Sequence, residues 1–373
     1  MSMSPTFEVK VECKKYTLDF RFDAGTSRGV LRTKDTFFIK VSSKNFPGRS
    51  GYGEAGPLPK LSVDDVPDFE PRLHQVSQEI SNIPIPISEE SILELLENAV
   101  PENLPSVRFA LEVALLDLIH GGKKRIFPNA FFDHQSAVPI NGLIWMGERN
   151  FMLDQIKQKL EQGYHCIKMK IGSIDFDQEC ELLSYIRERY SADQITLRVD
   201  ANGAFSPEEA IGKLTQLAQF GIHSIEQPIR QGQKAAMKEL CAQSPIPIAL
   251  DEELIGVNGM REKARMLEKI NPQYIILKPT LVGGIRSTRE WISLAEEMQI
   301  GWWMTSALES NIGLNAIAQL TSTYAPVIPQ GLGTGQLYHN NIDSPLTVDS
   351  GRIFYDRSGA WEEIEGLFGT ASP

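Results

Sequence analysis

Five short apolar runs between Cys166 and Lys278 each end in charge: HCIKMKIG (Lys168, Lys170), ITLRVDANG (Asp200, Asn202), IHSIEQP (Glu226), IPIALDEE (Asp251, Glu252) and YIILKPT (Lys278). Residues two apart on a strand point to the same side, so Lys168 and Lys170 enter one space while Ile167, Met169 and Ile171 face away from it. Burying one ammonium beside another lowers its pKa, which is how a lysine becomes a usable base. Two carboxylates about 4 Å apart repel by roughly 4 kcal/mol at an effective dielectric near 20, so Asp200, Glu226 and Asp251 together call for a counter-ion. An all-oxygen set with no cysteine or histidine nearby suits a hard ion that keeps some water: Mg²⁺ is expected rather than Zn²⁺, with Mn²⁺ able to substitute. The alternative is a structural network in which the lysines alone neutralise the acids. Asn202 and Glu252 are expected to orient the ligands.

A cation flanked by ammonium groups suits removal of a proton next to a carboxylate, because negative charge grows beside the metal. One extra charge about 4 Å from a divalent ion is worth on the order of 8 kcal/mol as an upper bound. At the far end of the chain the signals are weaker. Ser306 and Glu309 should stand at the mouth after a seventh strand, as solvated or functional residues alike. Gly331 and Gly333, in GLGTG, could offer backbone N–H groups to a substrate carboxylate; no clear helix follows them, so a dinucleotide fingerprint is not expected.

The positioning elements follow from the spacing. The run-ending charges at 170, 200, 226, 251 and 278 are 30, 26, 25 and 27 residues apart, one strand, helix and two turns per step, as in a βα barrel whose chemistry sits at the carboxyl ends of its strands. Strands are expected at VPINGLI from Val138, then 165–171, 195–200, 222–226, 246–251 and 274–278, with the seventh and eighth ending near 304 and 330. Ser206-Pro207-Glu208-Glu209 carries the signature of a capped helix start. Before the barrel, strand-like runs at Phe7–Phe22 and Thr36–Val41 flank a loop, Asp23–Thr33. The Gly- and Pro-rich stretch from Gly51 to Pro59 follows, then helices ending near Gly121. The expected architecture is α/β: a modified (β/α) TIM barrel over 126–345, an N-terminal α+β capping domain over 1–125, and a segment, 346–373, returning to the cap.

At 373 residues the chain has room for both parts. A net charge of −11 argues against nucleic acid or an anionic membrane as partner and leaves a small-molecule carboxylate open. The opening stretch MSMSPTFEVKVECKK has no apolar h-region, so a secretory signal is not expected; four cysteines without metal-ligand spacing fit reduced thiols and a cytoplasmic location. The oligomeric state is not legible.

The pattern of KxK, then Asp, Glu and Asp on successive strands, then KP, resembles the enolase superfamily, and within it the muconate-lactonizing-enzyme subgroup. The stretches SALESNIGLNAIAQ (306–319) and PQGLGTGQL (329–337) resemble the o-succinylbenzoate synthase family. The resemblance implies that Asp200, Glu226 and Asp251 bind Mg²⁺, that Lys170 takes the α-proton and returns it to a departing hydroxyl, that Lys168 assists, and that Lys278 steadies the enolate. It also implies a mobile cap loop at Asp23–Thr33, with Gly51–Gly56 as a second wall. The implied reaction is dehydration of 2-succinyl-6-hydroxy-2,4-cyclohexadiene-1-carboxylate to o-succinylbenzoate, towards menaquinone. The alternative within the subgroup is a racemase or epimerase of N-acylamino acids or dipeptides. The absence of a histidine on the seventh or eighth strand argues against the mandelate-racemase-like subgroups.

Overall fold

In the computed structural model, which describes residues 5–26, 29–133 and 136–369, the charge-ended runs are parallel strands. We number the barrel strands β1 (Gly142–Ile144), β2 (Cys166–Lys170), β3 (Thr196–Asp200), β4 (Ile222–Glu226), β5 (Ile248–Leu250), β6 (Tyr274–Leu277) and β7 (Gly301–Met304). They lie in that order in one sheet, every neighbouring pair parallel. Register sets Lys170 beside Asp200 and Asp200 beside Glu226, so these side chains leave the sheet on one level. Ile167, Met169, Leu197 and Val199, which alternate with the polar positions, are fully buried in the apolar core. A helix follows each strand from β1 to β6; the one over Pro207–Ala218 starts with the reciprocal Ser206–Glu209 capping box.

The eighth strand expected near 330 is reduced to single bridges, Ile140 with Gln330 and Thr305 with Gly331. Pro326 and Pro329 have no N–H to donate to a ladder. The Gln330 side chain replaces part of it, its Oε1 accepting from Met304 N at 2.8 Å. The expected first strand is also divided: Val138–Pro139 pairs antiparallel with Arg352–Ile353, and only Gly142–Ile144 joins the barrel. The helix after β6 spans Gly284–Glu297.

Ahead of the barrel, Lys10–Thr26, Gly29–Ser42 and Ser50–Ala55 form an antiparallel sheet in sequence order. The helix Pro105–Ile119 lies against its last strand so closely that a Cβ on Gly51 or Gly53 would stand about 2 Å from the Ala114 or Ala110 carbonyl oxygen. The glycines there permit contact between backbones. Asp23–Thr33, expected as a loop, consists of the arms of a long hairpin: Ala24–Thr26 pair with Gly29–Leu31 after a register shift beyond Asp19. Val30, Leu31 and Thr33 favour extended backbone and carry the ladder onward; Ser27 and Arg28 lie outside the described residues. This hairpin rests on the barrel, with Gly25 bridging Met146, Phe20 bridging Tyr338, and Arg21 N donating to Leu337 O at 2.8 Å. Residues 346–355 pair with each other and with Val138–Pro139, and Glu365 further on meets Lys40 and Tyr52 of the first sheet. Among the described residues the cysteines are all free, and no helix is long and apolar enough to cross a membrane.

Candidate active site

The charged side chains singled out on β2 to β6 arrive at the same end of the sheet: Lys168 and Lys170 lie in the second half of β2, and Asp200, Glu226, Asp251 and Lys278 each follow the last apolar residue of a parallel strand. They interleave. Lys170 Nζ lies 2.9 Å from Asp200 Oδ2, and Lys168 Nζ lies 3.0 Å from the same oxygen. Lys168 also touches Glu226 Oε2, while Lys278 touches Asp251 Oδ2 and stands 4.0 Å from Glu226 Oε1. The row thus runs Lys170, Asp200, Lys168, Glu226, Lys278, Asp251, positive and negative in alternation. Asp200, Glu226 and Asp251 are buried, at 1%, 2% and 1% exposure. Interior ions need such partners.

The electrostatics follow from that order. Burial would lift the Asp200 carboxyl, but Lys168 and Lys170 outweigh it and hold it below the ordinary carboxylate range. Burial also opposes charge on Lys168 and Lys278, yet the neighbouring acids prevail and raise both above free lysine. For Lys168 this reverses the expectation that a neighbouring ammonium lowers its pKa: the adjacent acids dominate. Glu226 differs. Burial first, then the adjacent Asp200, push its carboxyl well above the usual value. Lys168 lies against its Oε2, while Oε1 is buried without a hydrogen-bond partner, Lys278 standing 4.0 Å away.

Asn202 ties the row to its surroundings. Its backbone is left-handed, φ 45°, a conformation asparagine tolerates better than most residues. Its Oδ1 accepts from Lys170 Nζ at 2.7 Å, its N–H donates to Asp200 Oδ1 at 3.0 Å, and its Nδ2 donates to Glu252 Oε1 at 3.0 Å. Gln227 is a site residue that the sequence reading passed over. Also left-handed, at φ 39°, it accepts at Oε1 from Asp251 N and Glu253 N, at 3.2 and 3.3 Å, and so fixes the turn that presents Asp251. Its place directly after Glu226 was the available signal.

A cavity opens over the row, lined by Lys168, Lys170, Asp200, Asn202 and Lys278 on the charged side. Trp145, Trp303, Leu58, Leu143 and Leu308 make it largely apolar elsewhere, and Ser306, Gly331, Gly333 and Thr334 close it. Ser306 Oγ and Thr334 Oγ1 are 2.5 Å apart. Glu309 is not in the wall: it is fully buried behind it, held by Thr280 and accepting from Ala307 N at 2.7 Å. Glu226, Asp251 and Glu252 likewise lie off the cavity surface. At about 80 Å³ the space is small, because the lysines extend across the acids. A wider groove, about 880 Å³, lies between residues 8–10, 42–52 and 363–365. It contains none of the converging acids, so the chemistry belongs to the smaller cavity.

The fit of a divalent cation can be judged from the donors. Among the described residues no three His, Cys, Asp or Glu side chains already stand at metal-binding spacing; ammonium groups lie between them. The acids are nonetheless oxygen-only donors on three adjacent strand ends, and Glu226 Oε1 is buried without a hydrogen bond. With Glu252 the set carries one formal net negative charge, four acids against three lysines. A divalent cation would turn that to one positive, the sign that holds a carboxylate. The residues fit such an ion.

Known proteins agree with this geometry. Residues 152–359 match the family model described as enolase C-terminal domain-like. An o-succinylbenzoate synthase from Desulfotalea psychrophila is 47% identical over 92% of this chain and 98% of its own length. The crystal structure of MenC from the same organism superposes with a TM-score of 0.83 at 44% identity, covering 93% of this chain and 99% of the other. More distant is an L-Ala-D/L-amino acid epimerase from a Maribacter species, 27% identical over 84% of this chain and 87% of its own. With a barrel, a cap and a charged mouth of this kind, the chain belongs to the enolase C-terminal domain-like family, among the relatives of o-succinylbenzoate synthase.

Proposed function

We propose that this protein is a carbon–oxygen lyase that dehydrates 2-succinyl-6-hydroxy-2,4-cyclohexadiene-1-carboxylate to o-succinylbenzoate, a step towards menaquinone. The observation that carries the reading is the row of charges, with Lys170 at one end and Lys278 near the other. The relative at 47% identity supports the choice of reaction.

Enzymes of this superfamily use a divalent metal, and here Asp200, Glu226 and Asp251 would hold it, Mg²⁺ with Mn²⁺ as substitute. When bound, the ion supplies a Lewis acid that anchors the substrate carboxylate and favours the charge of an enolate. Lys170, which meets one acid and lines the cavity, takes the proton from the carbon bearing the carboxylate. The electron pair released moves into the carboxylate as an enolate and then returns to form the ring double bond. The C6–oxygen bond breaks, and the same lysine, now an ammonium, gives its proton to the departing hydroxide to make water. Lys278, held charged by its acids, steadies the enolate from the far end of the row, and Lys168 stands between Asp200 and Glu226 and holds Asp200 ionised. Asn202 aims Lys170. A cytoplasmic location suits a small soluble-substrate reaction of this kind.

The same two lysines would serve a racemase or epimerase, one removing a proton and the other returning it, and the Maribacter relative makes that the second reading. Offering the purified protein both substrate classes decides between them. Turnover of the cyclohexadiene carboxylate supports the lyase; turnover of N-succinylamino acids or dipeptides alone reverses the order.

A further inference from the structure

Arg198 is buried inside the barrel, 2% exposed, and among the described residues no acid forms an ion pair with it. An unpaired interior guanidinium is costly and needs an account. The residue sits on β3 two positions before Asp200, level with Lys168. From there it reaches across the interior to the other side of the sheet. Its Nη1 donates to Pro329 O at 2.7 Å, and its guanidinium carbon lies 4.0 Å from the Trp303 ring centroid. Trp303, on β7, lines the cavity, and Pro329 leads into Gly331, Gly333 and Thr334, which line it too. Tyr274 packs on the same indole at 5.5 Å between ring centroids. One side chain therefore holds both a flat aromatic wall and the segment that replaces the eighth strand.

We propose that Arg198 is a positioning residue for substrate selection: by fixing the buried Trp303 and residues 329–334, which line the cavity, it sets the cavity's depth and so the size of ring it admits. The idea rests on the lyase reading above. A guanidinium stacked on an aromatic face and bonded to a carbonyl is rigid in a way a lysine is not. The ring is selected by that depth, whereas the proton chemistry belongs to the row of charges at the strand ends.

The test is steady-state kinetics on Arg198→Met, Trp303→Phe and the double variant. Arg198→Met is expected to raise KM for the cyclohexadiene carboxylate about tenfold, equivalent to about 1.4 kcal/mol, with kcat within about threefold. If Arg198 acts through Trp303, the double variant is no worse than the weaker single one, since coupled residues are not additive. Unchanged KM with only a lowered melting temperature overturns the proposal, as do losses that multiply in the double variant. Should Arg198→Met fail to fold, Arg198→Lys keeps the charge without the planar fork, and the expected result is a raised KM; wild-type kinetics in that variant overturn the proposal. A wild-type enzyme inactive on the cyclohexadiene carboxylate would sink the lyase reading instead, and the same KM and kcat comparison on N-succinylamino acids would then decide the role of Arg198.

Discussion

Lys170 and Lys278 share no ion-pair partner: Lys170 pairs with Asp200, and Lys278 with Asp251 and Glu226. They come from β2 and from the residue after β6, with the three acid-bearing strands between them. A substrate carboxylate held over the acids would therefore have one ammonium towards each end of the row. Lys278 is proposed to act by charge. Lys278→Ala should lower kcat by about 10²–10³-fold, and Lys278→Arg should keep measurably more activity than Ala. Equal losses in the two variants would assign it a proton-transfer role instead.

Removing the metal should stop the reaction. Dialysis against EDTA is expected to abolish turnover, with Mg²⁺ restoring it fully and Mn²⁺ in part. Glu226→Gln should weaken Mg²⁺ binding, measured by titration calorimetry, on the order of 10–100-fold. Activity indifferent to chelation would exclude the ion as a requirement and leave the lysines as the sole counter-charges.

A pH effect on stability should come from Glu112, away from the site. Burial raises its carboxyl from 4.5 to about 8, against the Ile285 N–H and Arg108, which pull it down. Between those two values the unfolded chain has lost a proton that the folded one retains. This contribution to stability is therefore complete below pH 4.5 and is lost as pH rises towards 8. Glu112→Gln lacks the term. Its stability relative to wild type should improve by about 1–3 kcal/mol between pH 5 and pH 8, read from urea unfolding at both. The same difference at the two pH values would contradict the assignment.

The capping box gives a control without chemistry. Ser206 Oγ accepts from Glu209 N at 3.3 Å, and Glu209 Oε1 accepts from Ser206 N at 2.9 Å. Ser206→Ala should cost about 1 kcal/mol of stability and leave kcat and KM unchanged.

Much of the site could be read from the chain because each apolar run stops at a residue that cannot stay inside a sheet. The charges after Met169, Val199, Ile225, Leu250 and Leu277 mark the strand ends, and parallel order brings them together. The parts that escaped are those where local signals mislead. Gly25 and Gly29 suggested a loop where the hairpin ladder continues. Pro329 and the glycines after it lie on an eighth stave that has too few N–H groups to be a strand. Glu309 and Arg198 have ordinary local sequence; their burial arises from contacts with Thr280, Trp303 and Pro329, distant in the chain. The direction of the lysine shifts also depended on distances that spacing does not supply.

The central claim is that Lys170 is the base. Incubating the enzyme with substrate in deuterated water, and following both product and deuterium at the α-carbon, tests it most directly. The account predicts that Lys170→Ala, with Mg²⁺ still bound, shows neither exchange nor product. Exchange or dehydration at wild-type rates in that variant would contradict it.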